Sequence, residues 1–331
     1  MPLFLSPQRF VVHMRVTQRF SYQVKPVSPY SFRLTLKKRA GWSVFTPFEI
    51  FEKETLWSAL HVNEQLVGIK VESFGTTDRP LLRVGVFTRR PATSATRNSL
   101  RESLNDLLGV NDDLTPFYAL ARNDPILKHV IGDLYGMHDT FSSSLFAKAT
   151  LAILLQMTSI KRSNQMMNCV ITKYGQLAEF DGRRIRIWPT HKRINKLTPN
   201  QLAKTCKVGY RARLLVQLAR VMTKNRGPTL AELRRLTPEE AKRQLMELPG
   251  IGDYSADIIN SPGGFPIDVW SATVFGKLFN GKEPENSREA VETVRKEGIR
   301  RWGRWSWMAF FYVVQDLENL SRELNITLRL E

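Results

Sequence analysis

One carboxylate follows soon after a glycine-rich turn, and this pair is the part of the chain best suited to chemistry. The turn, Leu248–Gly252, reads LPGIG and lies between two stretches predicted to be helical, and Asp268 comes shortly after the second of them. Glycine adopts backbone angles that other residues avoid, and the amides at the start of a helix favour an anion such as phosphate. The pattern predicts a helix–hairpin–helix that holds phosphate beside a catalytic acid.

The hairpin and the carboxylate each have a second interpretation. A GxG turn also occurs at corners that are only structural, although the basic, helical surroundings favour phosphate binding by Leu248, Pro249, Gly250, Ile251 and Gly252. Asp268 directly precedes the apolar run Val269–Leu278, which is the position of a helix N-cap. The constrained loop Gly263–Pro266 delivers it close to the hairpin, which favours catalysis. The two roles are compatible, because a helix N-terminus holds a carboxylate ionised and in one orientation.

The composition restricts the partners and the compartment. The chain has 49 basic and 31 acidic residues, a net charge of +18, which indicates a polyanionic partner such as nucleic acid or an anionic membrane surface. No apolar run is long enough to span a membrane. With only Cys169 and Cys206, no disulfide framework and no four-cysteine cluster are expected. We therefore expect a protein of the reducing cytoplasm, associated with the nucleoid if it is prokaryotic.

The order of predicted elements indicates an α+β protein. Strands are predicted in Phe10–Phe20, Tyr30–Lys37, Val67–Ser73 and Leu81–Phe87. From about residue 99 the apolar spacing becomes helical, and Ser143–Thr158 is apolar nearly all round, as in a buried central helix. Residues Phe180–Thr190 are predicted to be loop with extended pieces. The predicted architecture is a small N-terminal antiparallel sheet domain (1–95) followed by a large all-helical domain (96–331), with the hairpin at 245–260.

Several segments, in their order along the chain, resemble the helix–hairpin–helix DNA glycosylase superfamily. They are SLFAKATLAILLQMTSIKRSNQMM, IRIWPT, VGYRARLL, LPGIGDYSAD followed by PIDVW, and the terminal RWSWMAFFYVVQDLENL. The sheet-first organisation is similar to the AlkA-like branch, especially archaeal 3-methyladenine glycosylases. The resemblance covers residues 100–331 by motif and residues 10–90 by architecture alone.

The resemblance implies roles for particular residues. Asp268 matches the catalytic aspartate, and Leu248–Gly252 match the hairpin that holds DNA phosphates. Main-chain carbonyls of Leu248 and Ile251 are implied as ligands of a structural Na⁺ or K⁺, and no other cofactor is required. Relatives that also cut the strand carry a lysine two residues after the second hairpin glycine, where this chain has Tyr254, so monofunctional hydrolysis is implied. The span of 268 − 254 = 14 residues is shorter than in most relatives.

The remaining candidates are less specific. An electron-poor base favours aromatic neighbours, and the base-pocket candidates are Phe141, Tyr254, Trp270, Phe310 and Phe311, for which core packing is the alternative. The family's stacking aromatic aligns with Val314, which is why Phe310 one turn earlier is preferred. Met137 or His138 is the candidate wedge that fills the vacated base stack, with a buried methionine as the alternative. Arg211, Arg213, Lys161 and Arg162 are candidate phosphate contacts, or else part of a solvated charged face.

Three functions follow from these features. The first is a monomeric, monofunctional glycosylase that removes alkylated purines, of the 3-methyladenine and 7-methylguanine type, from double-stranded DNA in base excision repair. An alkylated purine is already cationic and leaves without a general acid, which fits a site with one carboxylate. The second is a glycosylase for oxidised or deaminated purines such as 8-oxoguanine or hypoxanthine. The third is a non-catalytic DNA-binding module, which would need neither Asp268 nor the aromatic residues.

Overall fold

The computed structural model describes residues 18–37, 48–62, 65–89, 91–140, 144–260 and 264–328. Five strands near the amino terminus form one antiparallel sheet in the order β1-β5-β4-β3-β2. They are β1 (Gln18–Val24), β2 (Ile50–Glu52), β3 (Thr55–Val62), β4 (Gln65–Gly75) and β5 (Pro80–Phe87), with helix α1 (Phe32–Leu36) after β1. The predicted strands Val67–Ser73 and Leu81–Phe87 are confirmed as β4 and β5.

Helix α2 (Ser94–Leu108) covers the apolar face of the sheet. Alternate residues of β4 and β5 are buried, as the two-residue period of a strand requires. They pack with the leucines of α2 in one core: Val67, Ile69, Val71, Leu82, Val84, Val86, Leu100, Leu104, Leu107 and Leu108. The helix crosses the predicted division between residues 95 and 96, and its buried face packs on the sheet.

The prediction of a strand over Tyr30–Lys37 is wrong, because Phe32–Leu36 form helix α1. The Ser31 hydroxyl accepts a hydrogen bond from the Leu34 amide at 3.3 Å and so begins the helix. Phe32 and Leu36 are buried four residues apart, a spacing that suits both the alternation of a strand and one turn of a helix. Most of the predicted strand Phe10–Phe20 lies outside the described residues.

The remainder of the chain is mainly helical, as predicted. Its elements are α3 (Thr115–Asn123), α4 (Leu145–Leu155), α5 (Ile160–Tyr174), β6 (Gln176–Phe180), β7 (Arg183–Ile187), α6 (His191–Ile194), α7 (Pro199–Cys206), α8 (Arg211–Thr223), α9 (Leu230–Leu233), α10 (Pro238–Met246), α11 (Asp253–Ile259), α12 (Val269–Asn280), α13 (Ser287–Trp302), α14 (Ser306–Gln315) and α15 (Leu317–Glu323). Short 3₁₀ turns lie at Leu127–His129 and Gly303–Trp305.

Two cores build the helical part, and the candidate site lies between them. Helix α4 is the predicted central helix, since every residue from Leu145 to Leu155 is buried. It shares one core with α8, α10 and α11, whereas the residues around α12, α13 and α14 form the other. The hairpin residues Leu248 and Ile251 belong to the first core, and Phe265 and Ile267, just before Asp268, belong to the second.

Strands β6 and β7 form an antiparallel hairpin. β7 lies within Phe180–Thr190, which was predicted to be loop with extended pieces, and β6 ends at the first residue of that segment. The Phe180 ring lies 4.9 Å from that of Phe87 on β5, and the Trp57 indole donates to Asp181 at 2.8 Å. This hairpin therefore attaches the helical part to the sheet.

The structure contains one disulfide, where no disulfide framework was expected. Cys169 of α5 and Cys206 at the end of α7 are bonded, with their Cα atoms 5.3 Å apart. The two residues are 37 positions apart in sequence, so their proximity depends on the packing of two helices and was not visible in the cysteine count.

Candidate active site and nucleic-acid interface

The glycine-rich turn connects α10 to α11 as the sequence predicts. The Ile251 amide donates to the Leu248 carbonyl at 3.1 Å and closes the turn. The Gln156 side chain, at the end of α4, donates to the Gly250 carbonyl at 2.7 Å and to Ser255 Oγ at 2.8 Å. The hairpin is thus fixed to the buried central helix.

The two glycines of the turn are required for different reasons. Gly250 has a φ of 83°, and a Cβ there would lie 3.0 Å from Leu214, so this glycine is needed for folding. Gly252 has a φ of −105°, which any residue adopts, and a Cβ there would meet nothing within 4 Å. Among the described residues, no acceptor takes the Gly252 amide hydrogen. The fold therefore does not require glycine at 252, and the space beside its amide is open to solvent.

Leu248 and Ile251 bury their side chains, so only their main-chain atoms can face a ligand. Their carbonyls were predicted to bind Na⁺ or K⁺, and the Leu248 carbonyl already accepts one hydrogen bond, which leaves its second lone pair for a cation. This ion site stays a prediction. No three His, Cys, Asp or Glu side chains are grouped as a metal site in the part of the chain that the structure describes.

Tyr254, the second residue of α11, lies within electrostatic range of Asp268. Burial, and secondly the negative charge of Asp268, raise the pKa of the Tyr254 phenol well above its usual value of 10.0. A raised phenol pKa keeps the proton on the oxygen at neutral pH, so Tyr254 is a neutral hydrogen-bond donor there. Two residues predicted to belong to one site are therefore brought together.

Asp268 is the N-cap of α12, as one of its two interpretations requires. Its Oδ1 accepts from the Ser271 amide at 2.8 Å and from Ser271 Oγ at 2.7 Å, while its own amide donates to Ser271 Oγ at 2.8 Å. Among the described residues, hydrogen bonds to this half-buried carboxylate reach only Oδ1. The cap therefore uses Oδ1, and the catalytic role of Asp268 stays a prediction.

The short span between Tyr254 and Asp268 is accommodated by a short helix and a tightly packed return. Helix α11 has seven residues. Gly264 then packs so closely on Asp257 of α11 that a Cβ at 264 would lie 2.7 Å from the Asp257 Cβ. Phe265 is fully buried against Gly298 and Trp302. These contacts place Asp268 back beside the hairpin.

The other aromatic candidates have varied positions. Phe310 and Phe311 are buried in the second core, with the Phe310 ring stacked 5.4 Å from Phe275. Trp270 is half-buried and lines a separate cavity of about 450 Å³ together with Thr327. Phe141 lies outside the described residues. Contact of these four with a base stays a prediction.

Both candidates for the wedge are buried in this structure. Met137 is buried in the second core. His138 is fully buried, and its two ring nitrogens lie 2.8 Å from the carbonyls of Gly109 and Pro29. Neither side chain is exposed in this structure, and the role of either one as a wedge stays a prediction.

The structure shows a different exposed pair, which sequence reasoning missed. Met157 is 75% exposed, with a φ of 46°, in the turn between α4 and α5, and Tyr210 is 55% exposed just before α8. Arg211 joins them: its guanidinium lies 4.7 Å from the Tyr210 ring centroid and donates to the carbonyls of Gln156 and Met157. One sequence feature could have indicated Met157: it is an apolar residue that follows the end of the buried helix α4 and lies two residues before Ser159, the N-cap of α5.

The basic candidates divide by exposure. Arg211 is buried and occupied by main-chain carbonyls, so its predicted phosphate contact is replaced by a structural one. Arg162 is half-buried and donates to the Lys207 carbonyl at 2.6 Å. Lys161 and Arg213 are exposed and stay candidate phosphate contacts.

No helix in the described ranges is long and apolar enough to cross a membrane.

Comparisons with known proteins bear on this arrangement. No protein-family model matches the chain. A DNA-3-methyladenine glycosylase of Bacillus subtilis (strain 168) is 23% identical over 229 residues, which are 68% of this chain and 74% of that protein.

Solved structures share the fold. The 3-methyladenine DNA glycosylase from Archaeoglobus fulgidus has a TM-score of 0.72 at 19% identity, over 92% of this chain and 100% of that one. The 8-oxoguanine glycosylase/lyase of Clostridium acetobutylicum in its apo form has a TM-score of 0.66 at 17% identity, over 91% and 98%. The fold of this chain, a small antiparallel sheet followed by many helices, is that of the helix–hairpin–helix DNA glycosylases, as the motifs implied.

Proposed function

We propose that this chain, which has the helix–hairpin–helix DNA glycosylase fold, hydrolyses the N-glycosidic bond of alkylated purines in duplex DNA and does not cut the strand. The observation that carries the proposal is that the segment leading to Asp268 packs on the second hairpin helix, Gly264 against Asp257, and so brings a carboxylate to the hairpin of a protein with a net charge of +18. The charge of Asp268 raises the pKa of Tyr254 on that helix, which agrees with this placement. The names of the Bacillus and Archaeoglobus proteins support the alkylated-purine class.

Asp268 stabilises the charge that develops as the bond breaks. The damaged nucleotide is first flipped out of the duplex, at a cost of a few kcal/mol that damage reduces. Departure of the base leaves positive charge on the sugar, as in glycoside hydrolysis, and the Oδ2 side of Asp268 faces that charge and orients water. The hydrogen bonds from Ser271 hold the carboxylate in one orientation. A cationic base needs no second acid, which agrees with a single carboxylate.

Tyr254 determines the reaction class by its chemistry. A glycosylase that cuts the strand forms a Schiff base through an amine, and a phenol cannot form one. The raised pKa of Tyr254 also keeps its oxygen from acting as an anionic nucleophile at neutral pH. The reaction therefore ends at hydrolysis and leaves an abasic site.

DNA contact is assigned to the hairpin and to the exposed residues Met157 and Tyr210. The Gly252 amide, with open space around its Cα, suits a backbone phosphate and carries no base information. Met157 is the apolar side chain that fills the space vacated by the flipped base, since apolar wedges enter the stack in this way. Action as a monomer and a cytoplasmic or nucleoid location remain parts of the proposal.

A panel of duplexes tests the proposed substrate class. Each duplex carries one 7-methylguanine, 8-oxoguanine or hypoxanthine, and freed base is quantified by chromatography under single-turnover conditions. The proposal expects the methylated purine to be released fastest. Faster release of 8-oxoguanine or hypoxanthine would favour the oxidised or deaminated class, and binding without release of any base would indicate a DNA-binding module.

Met157→Ala is expected to slow base release by about tenfold without changing thermal stability, because an exposed side chain contributes little to the core. The measurement is the fluorescence of 2-aminopurine placed beside the lesion, which reports base flipping, together with the single-turnover rate. Met246→Ala is the matched control, since Met246 is an exposed methionine on α10. Equal effects of the two substitutions would exclude Met157 as the wedge.

A further inference from the structure

A chain of ionic contacts runs from the hairpin helices to the segment that carries Asp268. Lys242 of α10 lies 2.9 Å from Asp257 of α11, and the other oxygen of Asp257 lies 3.9 Å from Nε of Arg295 on α13. Nη2 of Arg295 then donates to the Ile267 carbonyl at 3.2 Å. Ile267 directly precedes Asp268, so one guanidinium spans from the hairpin to the residue before the carboxylate.

Arg295 is placed for this contact by its neighbours. Its side chain is 14% exposed, whereas the next residue, Lys296, is 76% exposed on the same helix. Its remaining nitrogen, Nη1, lies 3.2 Å from Glu292 one turn earlier. Among the described residues Nε of Arg295 makes no hydrogen bond, so its contact with Asp257 is electrostatic, whereas Nη2 donates to the Ile267 carbonyl. The planar guanidinium holds these two contacts in a fixed geometry, which a lysine ammonium cannot do.

The segment before Asp268 depends on such a contact. Residues 260–268 connect α11 to α12, and within them Gly264 packs on the main chain of Asp257. The Ile267 amide donates to Phe265 within the same segment, so the Arg295 contact is the one that ties the Ile267 carbonyl to another helix. Asp268 then follows with the backbone angles of an N-cap.

We propose that Arg295 is a positioning residue for Asp268: it couples the phosphate-binding hairpin, through Asp257, to the loop that presents the carboxylate. The inference rests on the proposed function for its catalytic consequence. Its structural part, that Arg295 restrains residues 264–271, is independent of any activity.

The test compares Arg295→Met with Lys296→Met, which removes the same charge from the same helix at an exposed position. Arg295→Met leaves Asp257 paired with Lys242, so the protein is expected to fold. Hydrogen exchange of a peptide covering 264–271 should accelerate by about tenfold in Arg295→Met and stay unchanged in Lys296→Met. The single-turnover rate should fall by about tenfold to a hundredfold with the reaction amplitude and DNA affinity preserved.

Arg295→Lys is expected to recover part of the rate, and it replaces Arg295→Met if that variant fails to fold. Unchanged exchange in the Arg295 variant would overturn the inference. So would a loss of amplitude at a constant rate, because that pattern describes fewer folded molecules with a normal site. A wild-type protein that releases no base from any lesion contradicts the proposed function instead, and the exchange result then decides the role of Arg295.

Discussion

Asp268→Asn is expected to lower the single-turnover rate of base release by about 10²- to 10³-fold, the usual cost of losing a charge that stabilises a transition state. DNA affinity should stay the same or rise. Asparagine keeps an Oδ1 that accepts the Ser271 amide and is as good an N-cap as aspartate, so the free energy of unfolding should change by less than about 1 kcal/mol. The substitution therefore removes the charge and leaves the helix cap.

Two further variants separate the roles of this residue. Asp268→Ala removes both cap and charge, and should add a loss of about 1 kcal/mol in the free energy of unfolding. Asp253→Asn removes a carboxylate from the first turn of the hairpin helix, where it pairs with Lys242, and should leave the rate unchanged. If Asp268→Asn retained wild-type activity, the carboxylate would be only a cap and the proposed mechanism would be wrong.

Gly252→Val is expected to weaken binding to any duplex by about tenfold to a hundredfold, regardless of sequence or lesion, because the new side chain occupies the place where a phosphate meets the amide. The fold should tolerate it, since the backbone at 252 is extended and the added atoms meet open space. Fluorescence anisotropy with an undamaged duplex measures the effect, and circular dichroism verifies the fold.

The chain offers matched controls for this substitution. Gly132→Val inserts the same side chain at another exposed glycine with open space, outside the hairpin, and should leave affinity unchanged. Gly250→Ala should instead destabilise the protein, because position 250 has a left-handed backbone and a Cβ there crowds Leu214. Unchanged affinity in folded Gly252→Val would remove the hairpin from the phosphate contact.

The sequence predicted those parts of the site that are local in the chain. LPGIG followed by Asp268 specifies a turn, a helix start and a helix cap within one segment, and all three are present. The buried helix α4 was predicted correctly as well, because its sequence is apolar on every side of the helix. In each case neighbouring residues determine the structure, so no distant contact had to be known.

The exposure of side chains and the contacts between distant segments could not be predicted from neighbouring residues. Met137 precedes α4 in the chain and Met157 follows it. Packing among distant helices in the second core buries Met137, whereas Met157 stays in solvent. Arg211 is a charged residue, a type usually found at the surface, but its guanidinium donates to main-chain carbonyls of the α4–α5 turn. Cys169 and Cys206 meet through helix packing that their spacing does not reveal.

The most direct test of the central claim is the fate of a duplex that contains one 7-methylguanine and is incubated with the wild-type protein. The account predicts that free 7-methylguanine appears by chromatography, and that the strand stays intact on a denaturing gel until alkali is added. Strand cleavage without alkali would contradict the monofunctional assignment based on Tyr254. Free base no higher than with the Asp268→Asn protein would contradict the catalytic role of Asp268.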